Sequence, residues 1–385
     1  MKKIPHCLPK DISPEVFLAE YWQKKPLLIK NGLPALVNLF DPEDVIALAQ
    51  EEEVSARLIT QTPTDTGDKW TLKYSPLTQK DFKHTPELWT VLVQNLEQWS
   101  VELGELWQAF DFIPKWQQDD IMVSYAPDGG SVGRHYDEYD VFLAQGYGKR
   151  RWQLGKMCDD KTEFIKGQPI RLLDDMGEII FDEVLDAGDV LYVPPRLSHY
   201  GLAVGDCLTF SFGFRRPSSV QVLDKLADVA TNHPALFKPL ILPQAPQDSS
   251  HTLSHDSITA IKERLIAFLN SPEGDTLFCQ AVSELVSVRQ YELLAFDDEI
   301  DGEILAGFLT EDGKLGINHA SRFIKVGEDW YINGEPVCLD DTALRLLTAL
   351  LEGEKLGQDA LKDADMGVLA SWVNNNWLVA IEPDA

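Results

Sequence analysis

His135-Tyr136-Asp137, followed far downstream by His199, has the residue types of a metal site. Two imidazole nitrogens and one carboxylate oxygen occupy one face of an octahedral ion and leave the other positions open. That set suits non-haem Fe(II), with room for a cosubstrate and for O₂, although manganese and nickel accept the same donors. A lone His-x-Asp arises readily by chance in an acidic chain, so the weight lies in its surroundings. His135 and Asp137 open a strand-like run to Ala144, in which residues i and i+2 share a face and reach one ion together. His199 closes the segment Ala187-Gly-Asp-Val-Leu-Tyr-Val-Pro-Pro-Arg-Leu-Ser-His199, and must come from a distant strand. Gly129-Gly-Ser-Val-Gly133 and Gly188-Asp189 supply sharp turns into the two ligand segments.

The stretch that carries these donors is rich in short strands. Ile121–Ala126, Asp140–Gln145, Arg150–Leu154, Glu178–Phe181, Val190–Val193 and Leu208–Phe214 alternate with Gly and Pro turns, the pattern of a sandwich or barrel. A double-stranded β-helix fits it. Upstream, Asp11 or Ser13 caps a helix with Pro14 in its first turn, and Asp41–Gln50 is a second helix. Val54–Tyr74 reads as strands broken at Thr62–Gly67. The spacing of Leu88, Val91, Leu92, Leu96, Trp99, Leu103 and Trp107 predicts a core-packed helix over Glu87–Phe110. Downstream, residues 218–290 read as helices around a polar, Pro-rich loop, Leu242–Ser250. Asp297–Glu303 marks a boundary. Arg322–Val337 holds hairpin turns with Asn333-Gly334, and helices follow at Asp341–Leu351 and Met366–Asn374.

His135-x-Asp137, Val141-Phe-Leu143, Gly148-Lys-Arg-Arg-Trp152 and Gly188-Asp-Val-Leu-Tyr-Val-Pro-Pro195 with His199 resemble the JmjC-type cupins, over roughly Asp119–Pro217. More narrowly, they resemble the bacterial ribosomal oxygenases. The resemblance implies an α+β chain with a double-stranded β-helix (jelly-roll, cupin) core, a helical region that pairs two subunits, and a winged-helix-like C-terminal domain. The corresponding boundaries are 1–217, 218–295 and 296–385. It also implies Fe(II), 2-oxoglutarate as cosubstrate, and hydroxylation at carbon 3 of an arginyl side chain in the sixteenth protein of the large ribosomal subunit. Three alternatives stay open. The target could be a histidyl residue of another ribosomal protein or a methyl-lysine, or the chain could be a metal-binding cupin scaffold without catalysis.

A 2-oxoglutarate oxygenase needs a cation for the distal carboxylate, and a guanidinium binds one through two hydrogen bonds. In Lys149-Arg150-Arg151-Trp152, alternation places Arg150 and Trp152 on one face. The resemblance assigns the role to Arg150, leaving Lys149 and Arg151 as rim charges. Thr209 and Ser211 share a face and offer hydroxyls to the same carboxylate. Tyr139 has the parity of His135 and Asp137 and so faces the cavity. Asp120, Met122 and Ser124 share one face of their strand. By resemblance an acid and a tyrosine hold the target arginine, with Met122 and Ser124 lining the pocket. His84, His233, His251, His255 and His319 lack neighbours at ligand spacing, and Asp186 and Asp189 serve their turn.

The net charge of −28, from 62 acidic and 34 basic residues, repels phosphate backbones and attracts a basic protein such as a ribosomal one. Phe296–Ala385 holds 19 acidic and 6 basic residues, which argues against direct DNA binding there. Five scattered cysteines without a Cys-x-x-Cys read as reduced thiols, mostly buried, of a cytoplasmic protein. The apolar runs are too short for a membrane span.

Overall fold

The computed structural model describes residues 4–65, 67–83, 85–242, 248–289, 291–293 and 299–383. Thr66, His84, residues 243–247 of the expected Pro-rich loop and residues 297–298 of the expected boundary lie outside the described residues. Packing gathers Met1–Arg215, Gln290–Ser321 and Asp340–Ala385 into one unit, and Arg216–Arg289 with Arg322–Leu339 into another. The expected division runs along the sequence; this one follows contact.

The first unit is built on one antiparallel sheet. Its strands are β1 (Leu27–Ile29), β2 (Ala56–Thr62), β3 (Lys69–Tyr74), β4 (Leu88–Val93), β5 (Gln118–Ala126), β6 (Asp140–Met157), β7 (Phe181–Leu185), β8 (Val190–Val193) and β9 (Leu197–Phe214). The order is β1-β8-β6-β9-β5-β4-β2-β3, with β7 beside β6. β6 and β9 are long, and their ladder shifts register at Gln145/Tyr147, Tyr147/Lys149 and Leu154/Met157. Bulges of this kind bend and twist a strand pair, which lets the sheet curl around an interior.

Alternation gives each strand two faces. Phe142, Phe210, Phe212, Phe214 and Tyr192 turn outward and pack with Phe17, Trp107 and Phe110 in the main core. Phe17 belongs to helix α1 (Pro14–Glu20), capped by Ser13; helix α2 (Pro42–Leu48) carries a capping box on Asp41. Val141, Leu143, Trp152, Leu154, Leu191 and Val193 turn the other way and form a second apolar cluster, the floor of the interior.

The helix expected over Glu87–Phe110 does not form. Leu88–Val93 is strand β4, Asn95 is left-handed at φ 58°, and three short turns follow at Leu96–Gln98, Val101–Glu105 and Leu106–Phe110. β4 lies between β2 and β5 and is buried on both faces, so its apolar residues run together and imitate helical spacing. Val91, Leu92, Leu96, Leu103 and Trp107 are core residues all the same. Three further expectations change, the first being that the strand expected over Glu178–Phe181 lies at Phe181–Leu185. Asp140–Gln145 and Arg150–Leu154 are one continuous strand, and Leu208–Phe214 reaches back to Leu197.

In the second unit, helices Ser219–Ala230, His255–Leu269 and Pro272–Ser287 accompany the hairpin strands Phe323–Val326, Asp329–Ile332 and Glu335–Val337. Asn333 and Gly334 both take positive φ at the second turn. Arg322 donates to the carbonyls of Val286 and Val288 and so caps the third helix.

Candidate metal centre

His135 and Asp137 do not share a strand. The segment before β6 is irregular, and His135 instead forms an isolated antiparallel bridge with His199 near the start of β9. Two backbone hydrogen bonds, 3.1 and 2.8 Å, close that bridge, and Arg196 N–H donates to the Asp137 carbonyl at 2.7 Å. The donors are thus strapped to one another by backbone rather than aligned by strand parity. The irregularity follows from the sharp turns around it: Gly129 and Gly133 take positive φ, and so does Arg196.

The three donor atoms lie within 4.8 Å of one another, and His199 Nε2 is 3.6 Å from an Asp137 oxygen. Each imidazole Nδ1 is 3.0 Å from a backbone carbonyl, Gly133 for His135 and Leu197 for His199. An Nδ1–H that donates there leaves the Nε2 lone pair free, the tautomer a metal ligand needs. Burial and the neighbouring His135 push His199 down to about 4, so it is neutral at physiological pH. The residues fit a divalent ion with two nitrogens and one carboxylate oxygen.

Arg150 lies in the same interior and is 3% exposed. Its Nη1 donates to Ser124 Oγ at 2.9 Å, while Nε and Nη2 are buried with no hydrogen-bond partner. A buried cation with two unfilled donors is costly unless an anion completes it. Thr209 pairs across strands with both Ser124 and Gln145, and its hydroxyl donates to the Gln145 amide oxygen at 2.8 Å. Ser211 shares that face one step along, opposite Met122 and Leu143. Ser124, expected on the substrate side, thus stands on the Arg150 guanidinium. Trp152 sets its ring 6.0 Å from that of His199 and is the apolar wall between the two. Lys149 and Arg151 are exposed and pair with Asp186 and Asp182.

Toward the mouth, a register shift in β5 between Gln118 and Ile121 turns both Asp119 and Asp120 into play. Asp119 ion-pairs with Arg215, whose guanidinium lies 4.4 Å over the Tyr139 ring. Desolvation and the charges of Glu97 and Asp119 push the Asp120 carboxyl up to about 7. The Asp137 carboxylate and burial hold the Tyr139 phenol well above its ordinary value, so it stays neutral. Glu97 is buried and accepts from Ile121 N–H at 2.9 Å and from the Tyr291 hydroxyl at 2.7 Å. Asp189 serves its turn, accepting from the N–H groups of Asn31 and Asp186.

Residues 105–222 match the JmjC domain profile, and residues 264–379 match a ROXA-like winged helix. A probable ribosomal oxygenase of Haemophilus influenzae is 47% identical over 98% of both chains. The chain belongs to the ribosomal oxygenase family. The ribosomal protein uL16 3-hydroxylase of Escherichia coli is 31% identical, over 94% of this chain and 96% of that one. The crystal structure of E. coli YcfD superposes with a TM-score of 0.82 at 29% identity, covering 96% of this chain and 99% of that one. Another YcfD structure, TM-score 0.78 at 28% identity over 96% and 98% of the two chains, holds cobalt and 2-oxoglutarate.

In this ribosomal oxygenase the sequence reading missed Gln145, Glu97, Arg196 and Arg215. Gln145 continues the inward parity of Val141 and Leu143, and Arg215 that of Thr209, Ser211 and Gly213, so alternation carried further finds both. Glu97 was hidden by the misread helix. Arg196 follows the two prolines and carries no periodic signal.

Proposed function

We propose that this protein is an Fe(II)- and 2-oxoglutarate-dependent oxygenase that hydroxylates carbon 3 of an arginyl side chain in ribosomal protein uL16. The observation that carries the reading is the pairing, in one barrel interior, of a three-donor set with a buried guanidinium that has two empty hydrogen-bond positions. His135 Nε2, the Asp137 carboxylate and His199 Nε2 would hold the iron. Arg150, supported by Ser124, would take the distal carboxylate of 2-oxoglutarate, with the Thr209 and Ser211 hydroxyls on the same wall. Iron with 2-oxoglutarate and O₂ supplies the oxidising power that places one oxygen in an unactivated C–H bond and leaves succinate and CO₂.

The rest is positioning by the protein. The Asp120 carboxyl would receive the target guanidinium, and that cation would draw it into its ionised form. The Tyr139 ring, held by Arg215, would cover the arginine's methylenes, with Met122 opposite. Trp152 and the apolar floor keep water from the reacting carbon. An acid at this point favours arginine over histidine. The test is incubation of the protein with Fe(II), 2-oxoglutarate and an arginine-bearing uL16 peptide. Mass spectrometry should find one added oxygen on arginine; an unmodified peptide with no 2-oxoglutarate consumed would end the reading.

Catalysis is assigned to residues 1–217, subunit pairing to 218–295 and a protein-contact role to 296–385. Val220, Leu223, Leu265 and Ile266 are exposed apolar residues on the helices of the second unit, which supports a homodimer formed there. The charge of −28 suits a basic ribosomal protein as partner and disfavours DNA. No helix among the described residues is long and apolar enough to cross a membrane, and the proposed site of action is the cytoplasm.

A further inference from the structure

Arg150 is not alone in lacking partners. Arg57, on β2, has a buried Nε without a hydrogen-bond partner, and its Nη2 lies 3.8 Å from the Met122 sulfur, a weak acceptor. Cross-strand register places it. Arg57 pairs with Leu92, Leu92 with Ser124, Ser124 with Thr209, and Thr209 with Gln145. Directly paired residues share a face, so Arg57 belongs to the same inward row as the cosubstrate wall, at its far end. Thr90 has the same parity two residues from Leu92, is fully buried, and its hydroxyl also lacks a partner. Arg57 as a whole is half-buried, although its Nε is not exposed.

We propose that Arg57 is a specificity residue that donates to an oxygen of the polypeptide substrate, a backbone carbonyl or a carboxylate flanking the target arginine. This rests on the reading that the substrate is an arginyl side chain of a ribosomal protein. As at Arg150, a buried guanidinium N–H without an acceptor, here Nε beside an Nη2 that meets only a thioether, is completed by an incoming oxygen. Arg150 already commands the inner end of the row. Arg57 points to Met122 on the substrate side and holds the chain around the target rather than the cosubstrate.

The experiment compares wild type, Arg57→Met and Arg57→Lys in the peptide hydroxylation assay, with thermal unfolding of each. Arg57→Met should raise KM for the peptide about tenfold, the scale of one charge-assisted hydrogen bond. KM for 2-oxoglutarate should move less than about twofold, and Arg57→Lys should recover part of the loss. Arg57→Met should be at least as stable as wild type, because it removes an unfilled donor. A peptide KM that stays put, a 2-oxoglutarate KM that rises in step, or an Arg57→Met protein that fails to fold would each overturn the assignment. Wild-type protein that leaves the peptide untouched would instead remove the arginine reading itself.

Discussion

At the scale of single residues, function follows from which polar atoms are left unfilled and which are pushed off their ordinary pKa. Arg150→Met should raise the 2-oxoglutarate requirement by at least about tenfold. The cosubstrate-free variant should be no less stable, since two guanidinium donors are unmet in the folded chain. Titration calorimetry with 2-oxoglutarate and thermal unfolding check the two halves. Asp120 sets a pH dependence. Its carboxyl is raised from 3.8 to about 7, so below that range it is neutral and pairs poorly with a guanidinium. Affinity for the arginyl peptide should therefore rise as pH climbs through about 7, relative to Asp120→Asn, whose profile should stay flat. For stability the sign is the reverse. The folded chain holds an extra proton between 3.8 and about 7, and this contribution is lost as pH rises through that window. The residue types of the donors and the parity of Arg150 were open to reading in the chain. The pull of Glu97 and Asp119 on Asp120 was not, because a bulge and a misread strand bring them together.

At the scale of elements, the two long strands do the positioning. β9 carries His199, Thr209, Ser211 and the approach to Arg215; β6 carries Gln145, Arg150 and Trp152. The sequence showed both strands in pieces, since turn residues such as Gly146 and Gly148 look like breaks when they are bulges inside one ladder. It showed β4 as a helix, because burial on both faces erases the alternation that marks a strand. It put His135 and Asp137 on one strand, where they are held by a bridge to β9 instead. Gly201 of β9 faces Trp152 of β6 across this ladder. A Cβ there would fall 2.8 Å from two atoms of the Trp152 ring, the ring that backs His199. Gly201→Ala should cost about 1–3 kcal/mol in stability. It should also weaken Mn(II) binding as the ring shifts, read by thermal unfolding with and without the metal.

At the scale of the whole molecule, the proposed pairing of two chains rests on exposed apolar side chains of the second unit. The helices of the second unit expose Val220 at 74%, Leu223 at 64% and Leu265 at 52%, side chains that a second chain could cover. Light scattering should report twice the chain mass, and Leu223→Asp with Leu265→Asp should halve it. A monomeric wild type would contradict the pairing role. The order of parts along the chain, JmjC domain before winged helix, was legible. The grouping of residues 322–339 with the second unit was not, since it depends on contacts remote in sequence.

In the proposed site His135, Asp137 and His199 hold one ion and Arg150 holds the cosubstrate beside it. Thermal unfolding with Mn(II) and 2-oxoglutarate tests this most directly, because a ligand at about one hundred times its Kd adds about 2.7 kcal/mol. The wild-type midpoint should rise with Mn(II) and rise again with 2-oxoglutarate. Asp137→Ala should lose both steps, and Arg150→Met only the second. A wild type that neither ligand moves, or an Asp137→Ala protein that gains as much as wild type, would contradict the account.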